Sequence, residues 1–205
     1  ITSSHFCSAE RQFRFPLEYG GQRTPTSQWT VTGSGAAILG RKAAPPYVRA
    51  VTIGTITDMG ITDANNMGAA MAPAAADTLR RFFKDSGMKP TDFDLIATGD
   101  LGQVGSELLR EVMEKEGCPL EGRQNDCGLM IYDRERQQVE AGGSGCGCSA
   151  SVLCAYLLPA LQRGEIMNLL FMATGALMST TAVQQGESIP GIAHLVWLSK
   201  EPGMR

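Results

Sequence analysis

The spacing of apolar residues predicts a long helix in the first half of the chain. Apolar side chains at intervals of three and four residues form one face, while charged side chains take the other. The apolar positions are Met71, Ala74, Ala75, Leu79, Phe82 and Phe83. Pro73 lies in the first turn, where its missing N–H costs nothing, and Gly87 marks the end. A second helix is predicted from Val104 to Glu116.

The segment from Cys148 to Leu161 predicts a third helix. Its apolar residues cover nearly the full circumference, so we expect this helix to be buried on most sides. Pro159 is expected to end or kink the last turn, because proline has no N–H group and its ring collides with the preceding turn.

Runs of β-branched and apolar residues between turn formers predict the strands. They are Trp29–Leu39, Tyr47–Ile56, Leu95–Thr98, Asn168–Thr174 and Ile192–Leu198, with a hairpin made of Leu129–Tyr132 and Gln137–Val139 and a loop from Gly175 to Pro190. Strands and helices alternate along the chain. This order predicts an α/β layered domain in which helices cover both faces of a mixed sheet.

Length and charge narrow the class of protein. The chain has 205 residues, enough for one large domain, and its 18 basic and 21 acidic residues give a net charge of −3. No basic run is present that would attract a phosphate backbone, so nucleic acid is not an expected partner. The apolar segments are too short to cross a bilayer, and we expect a chain that is soluble or at most peripheral to a membrane.

The cysteines and the first residues carry two further expectations. Six cysteines are spread over a chain of ordinary globular size, which favours reduced thiols in a cytosol-like compartment. The chain begins at Ile1, and Ile1-Thr-Ser-Ser4 is typical of the end of a buried strand. We therefore expect the chain to be the C-terminal part of a longer protein.

The candidate chemistry centres on the glycine-rich stretch Ala141–Ser151. Glycines at the entrance to a helix bring the backbone close to a ligand, and the first N–H groups of a helix have no partner inside it. An equally good interpretation is a tight loop that lets a buried helix pack against its sheet. Asp100 follows the predicted strand Leu95–Thr98, at the end where open α/β sheets bind ligands, although it could also cap the following turn.

Two other sets of residues have both a functional and a structural interpretation. Residues 6–30 predict a long ordered loop in which Arg11 and Arg14 alternate with aromatic residues, but these arginines could equally pair with Glu10 and Glu18. The thiols of three cysteines, Cys127, Cys146 and Cys148, could ligate zinc. Because this set lacks an obvious fourth ligand, ordinary buried thiols are favoured.

Several blocks along the whole chain resemble the stage V sporulation protein AD family. The blocks are Thr2-Ser-Ser-His5, Ala9-Glu-Arg-Gln-Phe-Arg14, Glu18-Tyr-Gly-Gly21, Val31-Thr-Gly-Ser-Gly-Ala36, Met67-Gly-Ala-Ala-Met-Ala-Pro-Ala-Ala-Ala-Asp77, Thr98-Gly-Asp-Leu101, Asn125-Asp-Cys-Gly-Leu-Met-Ile-Tyr132 and Gly142-Gly-Ser-Gly-Cys146. That family is similar in fold to thiolases and ketoacyl synthases, in which two related α/β halves enclose the site. The resemblance implies that residues 1–44 are the end of the first half, that residues 45–205 are the complete second half, and that the nucleophile segment lies upstream.

The resemblance also implies that the chain is not a condensing enzyme. Condensing relatives need a His after the second strand of this half and an Asn in the glycine loop, which stabilise an enolate or oxyanion. Here Gly99 or Asp100 takes the place of the His, and Cys146 takes the place of the Asn. A glycine has no side-chain donor, a carboxylate repels an anion, and a thiol donates weakly.

The resemblance instead implies binding of dipicolinic acid, a planar pyridine dicarboxylate, for uptake into the developing spore. Guanidinium groups of Arg11, Arg14 or Arg23 would chelate its carboxylates, and N–H groups from Cys146 to Ser149 would hold one end. The candidate ligand-binding residues are Arg11, Arg14, Asp100, Asp126, Cys146, Gly147, Cys148 and His5. Asp100 and Asp126 would suit a calcium chelate of the ligand, or would fix the pocket walls.

Partners, location and one alternative complete these expectations. The resemblance implies no cofactor, membrane proteins of the same sporulation operon as partners, the missing N-terminal half of the same protein as another partner, and a homodimer. It implies the cytoplasm of the forespore, peripheral to the spore inner membrane.

The alternative function is that of an acyl-CoA-dependent transferase or condensing enzyme that uses Cys146 or Cys148. We also expect the isolated 205 residues to aggregate or self-associate, because half of a two-lobed fold exposes its mating face.

Overall fold

The computed structural model of the chain describes residues 1–6, 24–41, 44–120 and 122–203. The strands are β1 Thr2–His5, β2 Trp29–Thr30, β3 Gly33–Ala36, β4 Tyr47–Thr52, β5 Leu95–Thr98, β6 Gln124–Asp126, β7 Gly143–Ser144, β8 Asn168–Ala176 and β9 Gly191–Ser199. The helices are α1 Met67–Ser86, α2 Gly102–Lys115, α3 Cys127–Met130, α4 Arg134–Gln137, α5 Cys146–Val152, α6 Leu158–Arg163 and α7 Thr180–Gln184.

One mixed sheet of five strands forms the centre, in the order β4-β9-β8-β5-β6. Strands β5, β6 and β8 are parallel to one another, and β9 is antiparallel to its neighbours β8 and β4. Two small pairs lie outside this sheet, the antiparallel pair β1–β3 and the parallel pair β2–β7. The prediction of an α/β fold with a mixed sheet is confirmed.

Helices α1 and α2 cover one face of the sheet and enclose the larger hydrophobic core. The side chain of Asn66 accepts a hydrogen bond from the Ala69 N–H at the start of α1, and Gly87 ends the helix in the left-handed conformation. Fully buried residues of this core include Met71, Leu79 and Phe93. Both predicted helices of this face are confirmed, because their amphipathic faces pack against the sheet. The position of Pro73 was predicted wrongly: α1 begins at Met67, so Pro73 lies inside the helix and not in its first turn.

The other face is covered by α5 and α6, which a π turn at Leu153–Leu157 joins into one continuous helix. The helix does not end at Pro159 but continues to Arg163, and the wider π turn immediately before the proline accommodates its ring. The expectation that this helix is buried on most sides agrees with the burial of its side chains, since only Ala155 and Tyr156 are exposed between Cys148 and Leu161. Cys148, Leu157 and Leu161 form its buried side.

Three predictions about the connecting segments are corrected. The predicted strand Trp29–Leu39 is two short strands with different partners, β2 and β3. The predicted hairpin is wrong, since the helical turns α3 and α4 occupy most of that region, each capped by an aspartate side chain at Asp126 or Asp133. Short apolar runs do not separate strand from helix, and here the caps decide. The predicted loop 175–190 contains α7.

Glycines let the β1–β3 pair lie directly on α5. A Cβ atom added at Gly35 would lie 2.4 Å from the carbonyl oxygen of Ala150, and one added at Gly147 would lie 2.8 Å from that of Gly33. Such distances leave no room for a side chain, so the backbones of strand and helix are in close contact. The residues before the predicted boundary at 44/45 thereby contribute a wall to the second face of the sheet. The boundary itself stays a prediction.

Candidate functional site

The carboxyl ends of β5 and β8 face the start of α5 across a cavity of about 490 Å³. The glycine loop Gly142–Gly145 and the β1–β3 pair complete its walls. Lining residues that carry the arguments below are Ser3, Asp100, Cys146, Cys154, Phe171 and Thr174. Gly145 of the glycine loop and Asp100 after β5 thus line the same cavity.

Asp100 is buried at this cavity and joins three elements. Its carboxylate accepts hydrogen bonds from the Gly145 N–H at 2.8 Å, the Thr174 hydroxyl at 2.8 Å and the Ser144 hydroxyl at 3.4 Å. The Asp100 N–H in turn donates to the Thr174 hydroxyl at 3.0 Å. The side chain thus connects the end of β5 to the glycine loop and to β8. These contacts assign it to the cavity wall.

Asp126 lies fully buried at the end of β6. Its carboxylate accepts N–H groups of Leu101 at 2.9 Å, Gly102 at 3.0 Å and Gly128 at 2.9 Å, and the Thr98 hydroxyl at 2.5 Å. It therefore caps both α2 and α3. Burial raises the pKa of Asp126 to about 7, and the charge of Asp100 adds to the rise, whereas the Thr98 hydroxyl and the backbone donors oppose it.

Gln28 is a second connection between the corner after β5 and the glycine loop. Its side-chain nitrogen donates to the carbonyl oxygens of Asp100 at 2.8 Å and Gly143 at 3.0 Å. The backbone of the same segment continues the connection, because the Trp29 N–H donates to Gly142 at 2.8 Å. The residues after β5 and the glycine loop are thus joined both by the Asp100 carboxylate and by the segment that contains Gln28.

The cysteines near the loop have different environments. Cys146 is exposed at the cavity, and its thiol donates to the carbonyl oxygen of Ser4 at 3.4 Å, an acceptor that cannot serve as a base. Cys127 and Cys148 are fully buried, and burial raises the pKa of both thiols. Of these candidates only Cys146 has the exposure that a reactive thiol requires.

The remaining predicted site residues lie in different places. His5, on β1, is half-buried, and its Nε2 atom is buried without a hydrogen-bond partner. Gly147 is buried beneath β3, so it contributes close packing. Arg11 and Arg14, together with Arg23, lie outside the described residues. The structure therefore brings Asp100 and Cys146 to one cavity and places Asp126 and Cys148 behind its wall.

Two negative findings apply to the described ranges alone. No group of three or more histidine, cysteine, aspartate or glutamate residues within them could hold a metal ion. None of the helices in the part of the chain that the structure describes is long and apolar enough to cross a membrane.

Three residues of the site were missed by the reasoning from sequence: Gln28, Ser144 and Thr174. Thr174 stands near the end of a predicted strand, and a polar residue at the carboxyl end of a buried strand is a usable signal for a site. Ser144 lies inside the glycine stretch and could have been included with it. Gln28 has no pattern around it, because its role depends entirely on a loop that is distant in sequence.

Comparisons with known proteins place the chain among sporulation proteins. A family model described as stage V sporulation protein AD matches residues 1–199. Stage V sporulation protein AD of Bacillus subtilis (strain 168) is 48% identical over 202 residues, which are 98% of this chain and 60% of that protein. The chain thus spans about three fifths of that relative. A crystal structure of 3-oxoacyl-[acyl-carrier-protein] synthase III from Aquifex aeolicus VF5 matches with a TM-score of 0.41 and 13% identity, over 78% of this chain and 46% of the other.

Proposed function

The chain belongs to the stage V sporulation protein AD family, and on that premise we propose that it binds dipicolinic acid during sporulation and catalyses no condensation. The absence of condensation is argued from the two positions where condensing relatives have a histidine and an asparagine as hydrogen-bond donors. Gly99 has no side chain, the Asp100 carboxylate accepts hydrogen bonds from the wall, and Cys146 offers a thiol whose partner is a carbonyl. This set supplies no strong donor for an oxyanion.

The space around Gly99 supports the same conclusion. A Cβ atom there would lie 3.1 Å from both the amide nitrogen and the hydroxyl of Thr174. A histidine at this position would require Thr174 to shift by a few tenths of an ångström, and Thr174 is bonded to the Asp100 carboxylate. The wall is therefore closely packed where condensing relatives hold their histidine.

The size and chemistry of the cavity support a small planar ligand. A volume of about 490 Å³ accommodates one aromatic ring with two carboxylates, and Phe171 and Cys154 offer apolar contact. Two carboxylates require cations, and the proposal assigns this role to Arg11 and Arg14, whose forked guanidinium groups bind carboxylates with two hydrogen bonds. The exposed Cys146 lies on the same cavity as a weak donor.

The two aspartates are better suited to holding the walls than to binding calcium. Both oxygens of Asp126 accept hydrogen bonds from N–H or O–H donors, and both oxygens of Asp100 do the same. A calcium ion would have to displace those donors. We therefore propose that dipicolinate binds as the free dianion, so that its affinity in calcium should be no higher than in EDTA.

Titration calorimetry of dipicolinate into the intact protein tests the proposal. Isophthalate, which keeps the two carboxylates but replaces the ring nitrogen by a C–H group, is the matched control ligand. We expect saturable binding of dipicolinate that weakens at least tenfold in Arg14→Gln, because one charge-assisted pair is lost. Absence of binding, or binding of an acyl-CoA in its place, would remove the proposal.

An acyl-transferring function is the second candidate, and the exposed Cys146 is the observation that favours it. The test is a mass shift of the intact protein after incubation with a panel of acyl-CoAs. An adduct on the wild type that disappears in Cys146→Ser would support acyl transfer. Absence of any adduct would exclude acyl transfer by a cysteine and leave the binding function.

The partner proposals follow from the relative length of the chain. We propose that an N-terminal half packs against the present fold, that the whole protein dimerises, and that it acts next to membrane proteins of the same operon at the spore inner membrane, on its cytoplasmic side. Exposed apolar residues support an uncovered face, among them Ile38 at 99% and Ile53 at 74% exposure. Size-exclusion chromatography of the 205 residues, alone and with a segment corresponding to the remaining two fifths of the Bacillus subtilis relative, tests the packing.

A further inference from the structure

Two buried carboxylates support the same corner of the fold. Asp126 holds the starts of α2 and α3 through three backbone N–H groups, and Asp100 holds the start of α5 through the Gly145 N–H. Among the described residues no cationic side chain forms an ion pair with Asp126. A second full negative charge in this interior is therefore costly.

The hydrogen bonds around Thr98 can accommodate a proton without leaving a polar group unpaired. The Thr98 hydroxyl lies 2.5 Å from the nearer oxygen of Asp126 and 3.3 Å from the carbonyl oxygen of Asn125. When Asp126 is ionised, the hydroxyl donates to the carboxylate. When Asp126 is protonated, the carboxyl O–H donates to Thr98, whose own hydroxyl turns to Asn125.

We propose that Asp126 and Thr98 form a proton-binding site behind the cavity, and that this proton controls how firmly the starts of α2, α3 and α5 are held together. Loss of the proton places a second charge beside Asp100, which carries the wall contact to Gly145. The repulsion between the two charges then favours separation of the starts of α2, α3 and α5. The proposal does not depend on the identity of the ligand.

The other titratable groups around Asp126 do not take over this role. Cys127 of α3 and Cys148 of α5 stay protonated because burial raises the pKa of both thiols. Arg110 of α2 donates to the Gln124 side chain at 3.0 Å, and Gln124 donates to Thr98 at 3.2 Å. Two neutral side chains thus stand between the Arg110 guanidinium and the Asp126 carboxylate in this chain of hydrogen bonds.

The direction of the pH effect follows from linkage. The pKa of Asp126 is raised from 3.8 to about 7 by folding, so the protonated form favours the closed corner. The stabilisation is complete below about pH 4, is lost as the pH rises towards 7, and then stays constant. Within that window the opening equilibrium increases by at most about tenfold per pH unit.

Hydrogen–deuterium exchange of the intact protein, without ligand, tests the proposal. Protection factors, which correct for the intrinsic pH dependence of exchange, are measured for the amides of Leu101, Gly102 and Gly128 between pH 5 and 8.5. We expect protection to fall up to pH 7 and then to remain level. In Asp126→Asn the same amides should show no pH dependence, whereas Asp133→Asn, a change at the exposed cap of α4, should behave as wild type.

A second pair of variants keeps the test decisive if Asp126→Asn does not fold. Thr98→Val removes the hydroxyl that stabilises the ionised carboxylate, so the level region should begin at a higher pH than in wild type. Thr98→Ser keeps the hydroxyl and should follow wild type. Level protection in wild type from pH 5 to 8.5, or an unchanged or lower onset in Thr98→Val, would overturn the proposal.

Discussion

The two faces of the central sheet are built by different forces. Under α1 and α2 most contacts are apolar, with Leu79 and Phe93 fully buried and Phe93 in edge contact with Trp197 at 5.5 Å between ring centroids. At the carboxyl ends of β5 and β6, beside the start of α5, buried polar groups such as Asp100 and Asp126 are held by hydrogen bonds. Apolar burial tolerates small shifts, but a polar network needs each donor in place.

Because of this difference, substitutions on the α1–α2 face should mainly affect stability, whereas substitutions beside α5 should mainly affect the geometry of the cavity. The α1–α2 face can lose a methyl group and keep its geometry, at a cost in free energy of unfolding. The α5 face can lose one hydroxyl and keep most of its stability, but the cavity wall moves. Glycines strengthen the contrast, since Gly35 and Gly147 leave no space between β3 and α5.

The largest effect is expected from Leu79→Ala on the apolar face. Leu79 is fully buried in the α1 core, and its truncation should lower the free energy of unfolding by about 2–5 kcal/mol. Denaturant unfolding of the intact protein measures this loss. Because the cavity lies on the other face, dipicolinate affinity measured below the transition should stay within a factor of two; a large loss of affinity would break the comparison.

Gly147→Ala should have the next largest effect. The added methyl would lie 2.8 Å from the Gly33 carbonyl oxygen and 3.0 Å from that of Val31, so strand β3 must move, at roughly 1–3 kcal/mol. The matched control is Gly40→Ala, where no atom lies within 4 Å. Melting temperatures compare the two variants. Equal melting temperatures would show that β3 is not packed as closely as described.

Thr174→Val should have a smaller effect on stability and a larger one on the site. It removes the hydroxyl that donates to the Asp100 carboxylate at 2.8 Å and accepts the Asp100 N–H at 3.0 Å, for a loss of roughly 1–2 kcal/mol. Calorimetry should show at least a fivefold loss of dipicolinate affinity. Thr174→Ser keeps the hydroxyl and should retain affinity; equal behaviour of the two variants would contradict the assigned contact.

The smallest effect is expected at a surface pair that belongs to neither network. Arg163 donates to Glu165 at 2.6 and 2.9 Å, but both side chains are more than half exposed. Solvent screens such pairs, so Arg163→Ala should leave the melting temperature unchanged within error. A clear drop would mean that the end of α6 contributes to the fold beyond its surface charge.

The agreement between sequence and structure differs between the same two faces. Helices α1 and α2 were predicted to within a few residues, because their apolar spacing and the capping glycine after α1 are local signals. The region after β6 was predicted as a hairpin and is two capped helical turns. There the apolar runs were short, and the side chains of Asp126 and Asp133, which cap the two turns, decided the outcome.

The sequence by itself determined the family, the order of the main strands and helices, and the importance of the glycine stretch. These depend on motifs and on periodicity, which are properties of neighbouring residues. Only the tertiary structure decided that Asp100 and Cys146 share one cavity, that Asp126 and Cys148 lie behind it, and that Gln28 and Thr174 belong to its support. The reason is that these contacts join segments up to 115 residues apart, whose approach depends on the packing of the sheet.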